Sequence, residues 1–383
     1  MSKIVFFIKW LAFSVLDFLV VSKKAPVSKT LLLVRLDAIG DYVLFRNFIQ
    51  ILKNSHQYKD YKITLCGNVV WKELAENLDK NFIDEFIWLD TKKFTRNLWY
   101  RCKKVQALTA TGYEVVISPV YSREFFHSDN VVKLVSATEK IGSVGDLLNT
   151  TELKKAIADR YYTKLIPATP GLLFEFYRNR EFFNVLLNQQ VSLNKPSINL
   201  VNIPLEFSLP QSFAVLFIGA SKSTKKWPVS YFVDVADYLT EKYGLEILVC
   251  GGVGDLPDAK EFSRLFQKKY LDLVGQTTLL QLLRILKNAE LLISNDTSAP
   301  HFAVGLDSAN VIMISNGNGF MRFAPYPKDV TTKFHTVFHQ TIEKDLAAYA
   351  SFCIHHQGES VLEISEIPVC RVLNKIDQII ARP

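Results

Sequence analysis

At 383 residues the chain is longer than one ordinary hydrophobic core, and its length favours two domains. With 49% hydrophobic and 22% charged residues it reads as a globular protein, which excludes a disordered or fibrous one. A net charge of +7 suits anionic ligands or an acidic membrane surface; it is too diffuse for nucleic acid, because no basic run reaches five residues. The five cysteines are scattered without a C-x-x-C pair, so a reducing compartment fits better than a disulfide framework.

Taken in order, the chain opens with an apolar stretch over 4–21, broken by Lys9 and Asp17 and followed by Lys23 and Lys24. It is too short and too interrupted for a spanning helix, and Ala25-Pro26 is a poor cleavage site for a secretory signal. Its composition suits a helix lying in a membrane interface; the alternative is a helix packed on the protein body. A short apolar strand is then expected at 31–34, a charged turn at 35–41, and a helix with Phe45, Phe48, Ile49 and Leu52 on one face. Gly40 allows a tight turn there, and Asp41 falls where the helix begins, either as its cap or as a carboxylate at the ligand-binding end of a buried strand. Strands at 62–66, 86–89 and 114–118, with a helix at 71–78, extend a parallel βαβ pattern. The stretch 150–194 is irregular apart from helical spacing at 172–187, and three prolines mark a linker at 195–210.

A second α/β series follows: a strand at 213–218, a lysine-rich loop at 219–228, and a helix at 229–243 stopped by Gly244. Strands at 245–250, 271–274, 291–294 and 311–315, with a helix at 278–288, complete it. The chain therefore reads as two similar α/β halves with a cleft between them.

Three loops carry candidate chemistry. Small residues, hydroxyls and the lysines Lys222, Lys225 and Lys226 in 219–228 suit a phosphate, although loop lysines are commonly just solvated. Asp296, Thr297 and Ser298 sit at a helix start with His301 one turn on, an anion site whose carboxylate or hydroxyl also serves as a cap. The glycines at 251–254 admit a ligand close to the backbone but do not complete G-x-G-x-x-G, which disfavours a dinucleotide-dependent dehydrogenase. No P-loop and no Asp-x-Asp pair occurs. Cys353, His355 and His356 lack a further pair of zinc ligands.

These motifs, in this order, resemble the heptosyltransferase family, glycosyltransferase family nine, over most of 30–380. R-L-D-A-I-G-D at 35–41 is similar to its N-terminal signature, F-I-G-A-S-K-S-T-K-K-W-P at 217–228 to the loop opening its second domain, and S-N-D-T-S-A-P-H at 294–301 to its most specific motif. N-G-F-M-R-F-A-P-Y at 318–326 is similar to a later loop, and 175–187 to an inter-domain helix. The resemblance implies an α/β GT-B architecture, two Rossmann-like domains facing each other across a cleft. An N-terminal membrane-interfacial segment at 1–27 would precede an acceptor domain at 28–204 and a nucleotide-sugar domain at 205–350; a helical tail at 351–383 would pack back on the first domain. It implies inverting, metal-independent transfer of a heptose-like sugar, from ADP-heptose, to a hydroxyl of a lipopolysaccharide core or other lipid-linked glycan. No cofactor is required, and the enzyme would sit on the cytoplasmic face of the bacterial inner membrane.

By motif match Asp41 stands as the catalytic base. Ser221, Lys225, Asp296, Thr297, Ser298 and His301 stand on the donor, and Arg35 and Gly40 support the acceptor-side loop, where Arg35 either orients the loop or reaches an anionic acceptor. Asp37 reads as a turn or structural residue. The chain departs from the family at Ser298, commonly Gly, and at Ser315-Asn316-Gly317, usually Gly-Pro-Thr, which leaves the nucleotide base open. The rival readings are a non-catalytic nucleotide-sugar or glycan-binding protein on this fold, and another GT-B enzyme such as an epimerase or phosphorylase.

Overall fold

Leu31, Leu32, Leu33 and Val34 are completely buried, as four consecutive apolar residues are when both faces of a strand are covered. They form the inner half of β1 (Pro26–Arg35), in a computed structural model that describes residues 3–22, 24–200, 203–355 and 360–380. On one side β1 pairs with β2 (Lys62–Asn68), which pairs with β3 (Glu85–Leu89); on the other it pairs with β4 (Gly112–Ser118), followed by β5 (Ala137–Ser143) and β6 (Lys164–Ile166). All pairings are parallel, in the order β3-β2-β1-β4-β5-β6.

The second sheet repeats that order. β7 (Phe213–Phe217) pairs with β8 (Glu246–Cys250), beyond which lies β9 (Leu271–Asp272). On its other side β7 pairs with β10 (Leu291–Asn295), then come β11 (Asn310–Ser315) and β12 (Phe334–Phe338). Each sheet is therefore doubly wound and reverses direction once, between β1 and β4 and between β7 and β10, at the places where such sheets bind ligands.

The chain divides into two compact units, residues 1–170 with 178–192, and residues 171–177 with 193–383, so the boundary passes through the helix Glu175–Leu187. The first unit's core joins Leu32, Val34 and Val116 to Phe94, Val105 and Leu108 from the helices over the sheet. The second joins Leu216, Val249 and Ile293 to the inner face of the helix Val229–Tyr243, with Phe232, Val235, Ala236 and Leu239 fully buried. That helix ends where Gly244 takes φ 66°, a left-handed conformation glycine adopts without penalty. Thr278 and Gln281 close a capping box at the head of the helix Leu279–Asn288.

Three strands fall outside the sequence reading: β5, β6 and β12. β5 is half-exposed along its first part and carries Glu139 and Lys140, β6 has three residues, and β12 is an edge strand interrupted by His335 and Thr336. The expected place of the C-terminal tail is revised. The helix Val369–Ile380 belongs to the second unit, where Val372 and Ile376 are buried in the core beneath Val229–Tyr243, and Tyr238 and Tyr243 both donate to Asp377.

The N-terminal helix Lys3–Val20 packs on the first unit through Phe6, Phe13 and Asp17. Phe6 meets Phe125 and Phe126, and Asp17 accepts from Arg101 Nε at 2.8 Å. Among the described residues no helix is long and apolar enough to cross a membrane. Lys23 lies outside the described residues.

Candidate active site

Arg35 ends β1 with its guanidinium entirely buried. Its Nη1 donates to Asn179 Oδ1 at 2.9 Å, its Nε lies 2.7 Å from Asp37 Oδ2, and its guanidinium carbon is 4.6 Å from the centre of the Phe45 ring. Of the two roles open to Arg35, these contacts match the support of the loop: the planar fork is occupied by the protein on three sides. The loop is also held from below. The carbonyl of Asp37 accepts from Trp71 Nε1 at 3.1 Å and from Asn68 Nδ2 at 3.2 Å, and Trp71 stacks on Tyr42 with ring centroids 4.6 Å apart. Trp71 fits because Gly67 has no side chain; a Cβ there would sit 2.4 Å from the indole. Tyr42 also donates to Asp79, whose other oxygen accepts from Arg46 at 2.7 Å.

The helix built on this floor is Ile39–Phe45. Its cap position is Ala38, which has no side-chain oxygen, so Asp41 is not the cap: it is the third residue of the helix, half-buried in the first turn. Gly40 is likewise inside the helix and not the turn residue; the turn is made by 36–38. A carboxylate in the first turn faces the positive end of the helix dipole, which favours its ionised form.

In the second unit the loops after β7 and β10 meet at the reversal of the sheet. Lys225 Nζ lies 2.5 Å from Asp296 Oδ2, with the two side chains 18% and 7% exposed, which bridges the two loops. Asn295, entirely buried at the end of β10, ties them a second time: its amide donates to Ile218 O at 2.7 Å and accepts from the Trp227 backbone at 2.9 Å. Trp227 is anchored below through Nε1 to Ile367 O at 2.8 Å. Asn316, on the loop after β11, donates to Thr224 O at 3.1 Å and Leu362 O at 2.8 Å. Sequence reasoning missed Asn295 and Asn316 as organisers. The available signal was position alone, an asparagine at or directly after the end of a buried strand.

The other expected donor residues divide into two groups. Thr297 occupies the cap position of the helix Ser298–Leu306 without a side-chain capping bond, so its hydroxyl and that of Ser298 stand at a helix start whose first amides have no intrahelical acceptor. Ser221 and Lys222 are exposed on the β7 loop. Lys226 points elsewhere: its Nζ lies 2.7 Å from Asp255 Oδ1 and also contacts Asp258. The same Asp255 accepts from the Gly252 amide at 2.9 Å and fills the space beside Gly219, where a Cβ would come within 2.1 Å of Oδ2. Gly219 and Gly252 are thus close partners of a carboxylate of the chain itself, at a loop whose glycines the sequence reading opens to a ligand close to the backbone.

His301 is buried in the second turn of its helix, Nδ1 2.6 Å from Tyr326 OH. Burial, and next the Lys225 charge, lowers its pKa to about 4, so the imidazole is neutral at pH 7. It offers a hydrogen bond and no charge. The site as a whole presents an ammonium paired with a carboxylate, two hydroxyls and a helix start whose free amides suit an anion. Among the described residues no group of three or more His, Cys, Asp or Glu is placed to hold a metal ion. His356 and the side chain of His355 lie outside the described residues.

Comparison with known proteins agrees with this architecture. The chain is similar to the glycosyltransferase family 9 structure from Veillonella parvula, with 16% identity over 94% of this chain and 100% of that one and a TM-score of 0.68. It is similar to E. coli heptosyltransferase WaaC with ADP-2-deoxy-2-fluoro heptose, with 16% identity over 91% and 99% and a TM-score of 0.66. The E. coli ADP-heptose lps heptosyltransferase II gives 14% identity over 92% and 99% and a TM-score of 0.64. No curated protein matches the chain. The two doubly wound units are those of the GT-B fold. The sequence profile of glycosyltransferase family 9 (heptosyltransferase) matches residues 101–332, more than half of the chain, which is therefore a glycosyltransferase belonging to that family.

Proposed function

We propose that this enzyme transfers a heptose-like sugar from a nucleotide-diphosphate sugar, ADP-heptose, to a hydroxyl of a lipopolysaccharide core or another lipid-linked glycan, with inversion and without a metal ion. The observation that carries the reading is the Lys225–Asp296 bridge beside the Thr297–Ser298 helix start, at the reversal of the second sheet. A diphosphate is the ligand whose charge and oxygen count this group suits. The likeness to WaaC, whose structure holds an ADP-sugar analogue, supports the choice of ADP.

In a single displacement the acceptor hydroxyl loses its proton to Asp41 as its oxygen attacks the anomeric carbon. The bond from that carbon to the diphosphate oxygen breaks in the same step, and one inversion follows. Negative charge gathers on the departing nucleoside diphosphate, where Lys225 and the amides at Ser298 and Ala299 stabilise it. Neutral His301, held by Tyr326, supplies orientation without adding charge. Ser221 at the rim of the β7 loop is assigned to a phosphate oxygen.

The test is release of nucleotide from ADP-heptose in the presence of a lipid-linked core acceptor, with GDP-, UDP- and dTDP-sugars as competitors and with EDTA added. Turnover with ADP-heptose that survives EDTA is expected. Preference for another nucleotide, or loss of turnover to EDTA, removes the corresponding part; binding without turnover leaves a nucleotide-sugar-binding protein.

A further inference from the structure

The N-terminal helix has its polarity reversed. Of its described charged side chains, Asp17 is buried in a pair with Arg101 that Asn130 completes at 2.8 Å, and Lys9 is half-buried at the border of the outward face. Facing outward are Ile4, Val5, Phe7, Ile8, Leu11, Val15, Phe18 and Leu19, each between 42% and 77% exposed. At about 100° per residue these eight, with exposed Ala12, fill a continuous arc of roughly 160° along about 23 Å of helix. A soluble surface rarely carries an apolar patch of that extent without a partner. Its rotation is fixed from within: the Asp17–Arg101 pair, with the Arg101 guanidinium 4.0 Å from the Phe13 ring, can form in one orientation only.

From this geometry we infer that the outward face of Lys3–Val20 docks the protein on an anionic lipid surface, lying in the plane of the membrane. The inference is independent of the catalytic reading. The width of the face selects the partner. A second copy pairing helix to helix would need a narrow seam flanked by charged or polar positions. Here the flanks of the line Ile4–Ile8–Leu11–Val15–Phe18 are Val5, Phe7, Ala12 and Leu19, all apolar, which suits a broad hydrocarbon layer. The borders are cationic. Lys9 lies along one edge, its Nζ 4.8 Å from the Phe126 ring, and Lys133 along the other, its Nζ 3.0 Å from Ser14 Oγ. Lys154 sits over Phe6 near the start of the helix. The helix Leu98–Thr109 beside it adds exposed Leu98 and Trp99, with Lys103 against the indole. Apolar side chains enter the lipid and ammonium groups meet the headgroups at the rim.

The test is flotation of the full-length protein with phosphatidylcholine vesicles, with and without phosphatidylglycerol. Leu11→Glu with Phe18→Glu is expected to reduce vesicle binding by at least tenfold, while Val361→Glu, at an equally exposed apolar residue of the second unit, leaves it unchanged. Lys9→Gln with Lys133→Gln should lower binding to the anionic vesicles and not to the neutral ones. Calorimetric melting of each variant reports that the fold is intact. Equal flotation of the double glutamate variant overturns the inference. So does a parent protein that ignores vesicles but forms dimers in solution that Leu11→Glu dissolves, which would assign the face to a second copy.

Discussion

Replacing Lys225 by methionine, close to lysine in length and without charge, separates what the bridge does for the fold from what it does for the donor. In the wild type the ammonium lies 2.5 Å from Asp296, which is 7% exposed. Removing one partner of a buried pair costs about 3–5 kcal/mol, and the 18% exposure of Lys225 puts this pair at the lower end, about 3 kcal/mol. The double variant Lys225→Met with Asp296→Asn removes the stranded charge as well and should recover most of that loss. Donor binding should not recover. A charge-assisted contact to a diphosphate contributes about 1.5–3 kcal/mol, so both variants should bind ADP about 10- to 150-fold more weakly. Calorimetric melting reads the first effect and titration calorimetry with ADP the second. ADP affinity within twofold of wild type in Lys225→Met, or recovered along with stability in the double variant, would refute the reasoning.

Asp41→Asn keeps the shape of the first turn and removes the carboxylate proposed as base; turnover should fall about 10²- to 10⁴-fold in single-turnover kinetics with nucleotide affinity unchanged. Because the folded pKa of His301 is lowered from 6.5 to about 4, the unfolded chain takes up a proton first, and stability is lost as pH falls through that window. The loss reaches on the order of 3 kcal/mol near pH 4, and a His301→Asn variant should show a flatter pH–stability curve in urea titrations. Asn295→Ala leaves a buried carbonyl and a buried amide without their partner, at about 1–3 kcal/mol each, and should speed hydrogen exchange at the Trp227 amide.

The helix Val229–Tyr243 was legible to the residue because Pro228 and Gly244 bracket an unbroken apolar periodicity. The inner half of β1 was legible for a similar reason, since burial on both faces leaves 31–34 no polar positions, while the exposed half from Pro26 was not. β5 and β12 were not, because a strand of mixed polarity takes its stability from neighbours that are remote in sequence. At the site, residue types and loop positions were readable but pairings were not. Lys225 and Lys226 are adjacent and chemically identical, yet one meets Asp296 and the other Asp255 and Asp258, a division set by how two loops of the second unit fold. The position of Asp41 depended on where the helix starts, and a shift of a few residues changes a cap into a side chain of the first turn.

Asn316 holds Thr224 O and Leu362 O on one amide group, and Ser360 Oγ in turn donates to Asn316 O. The loop after β7, the loop after β11 and the segment around 360–362 are therefore one opening unit, since a fluctuation that frees any of them must break bonds at the same residue. Amides along all three should exchange with solvent at a common rate. A ligand bound at the first would slow exchange at the third, carrying the occupancy of one loop into a segment more than 130 residues further along the chain.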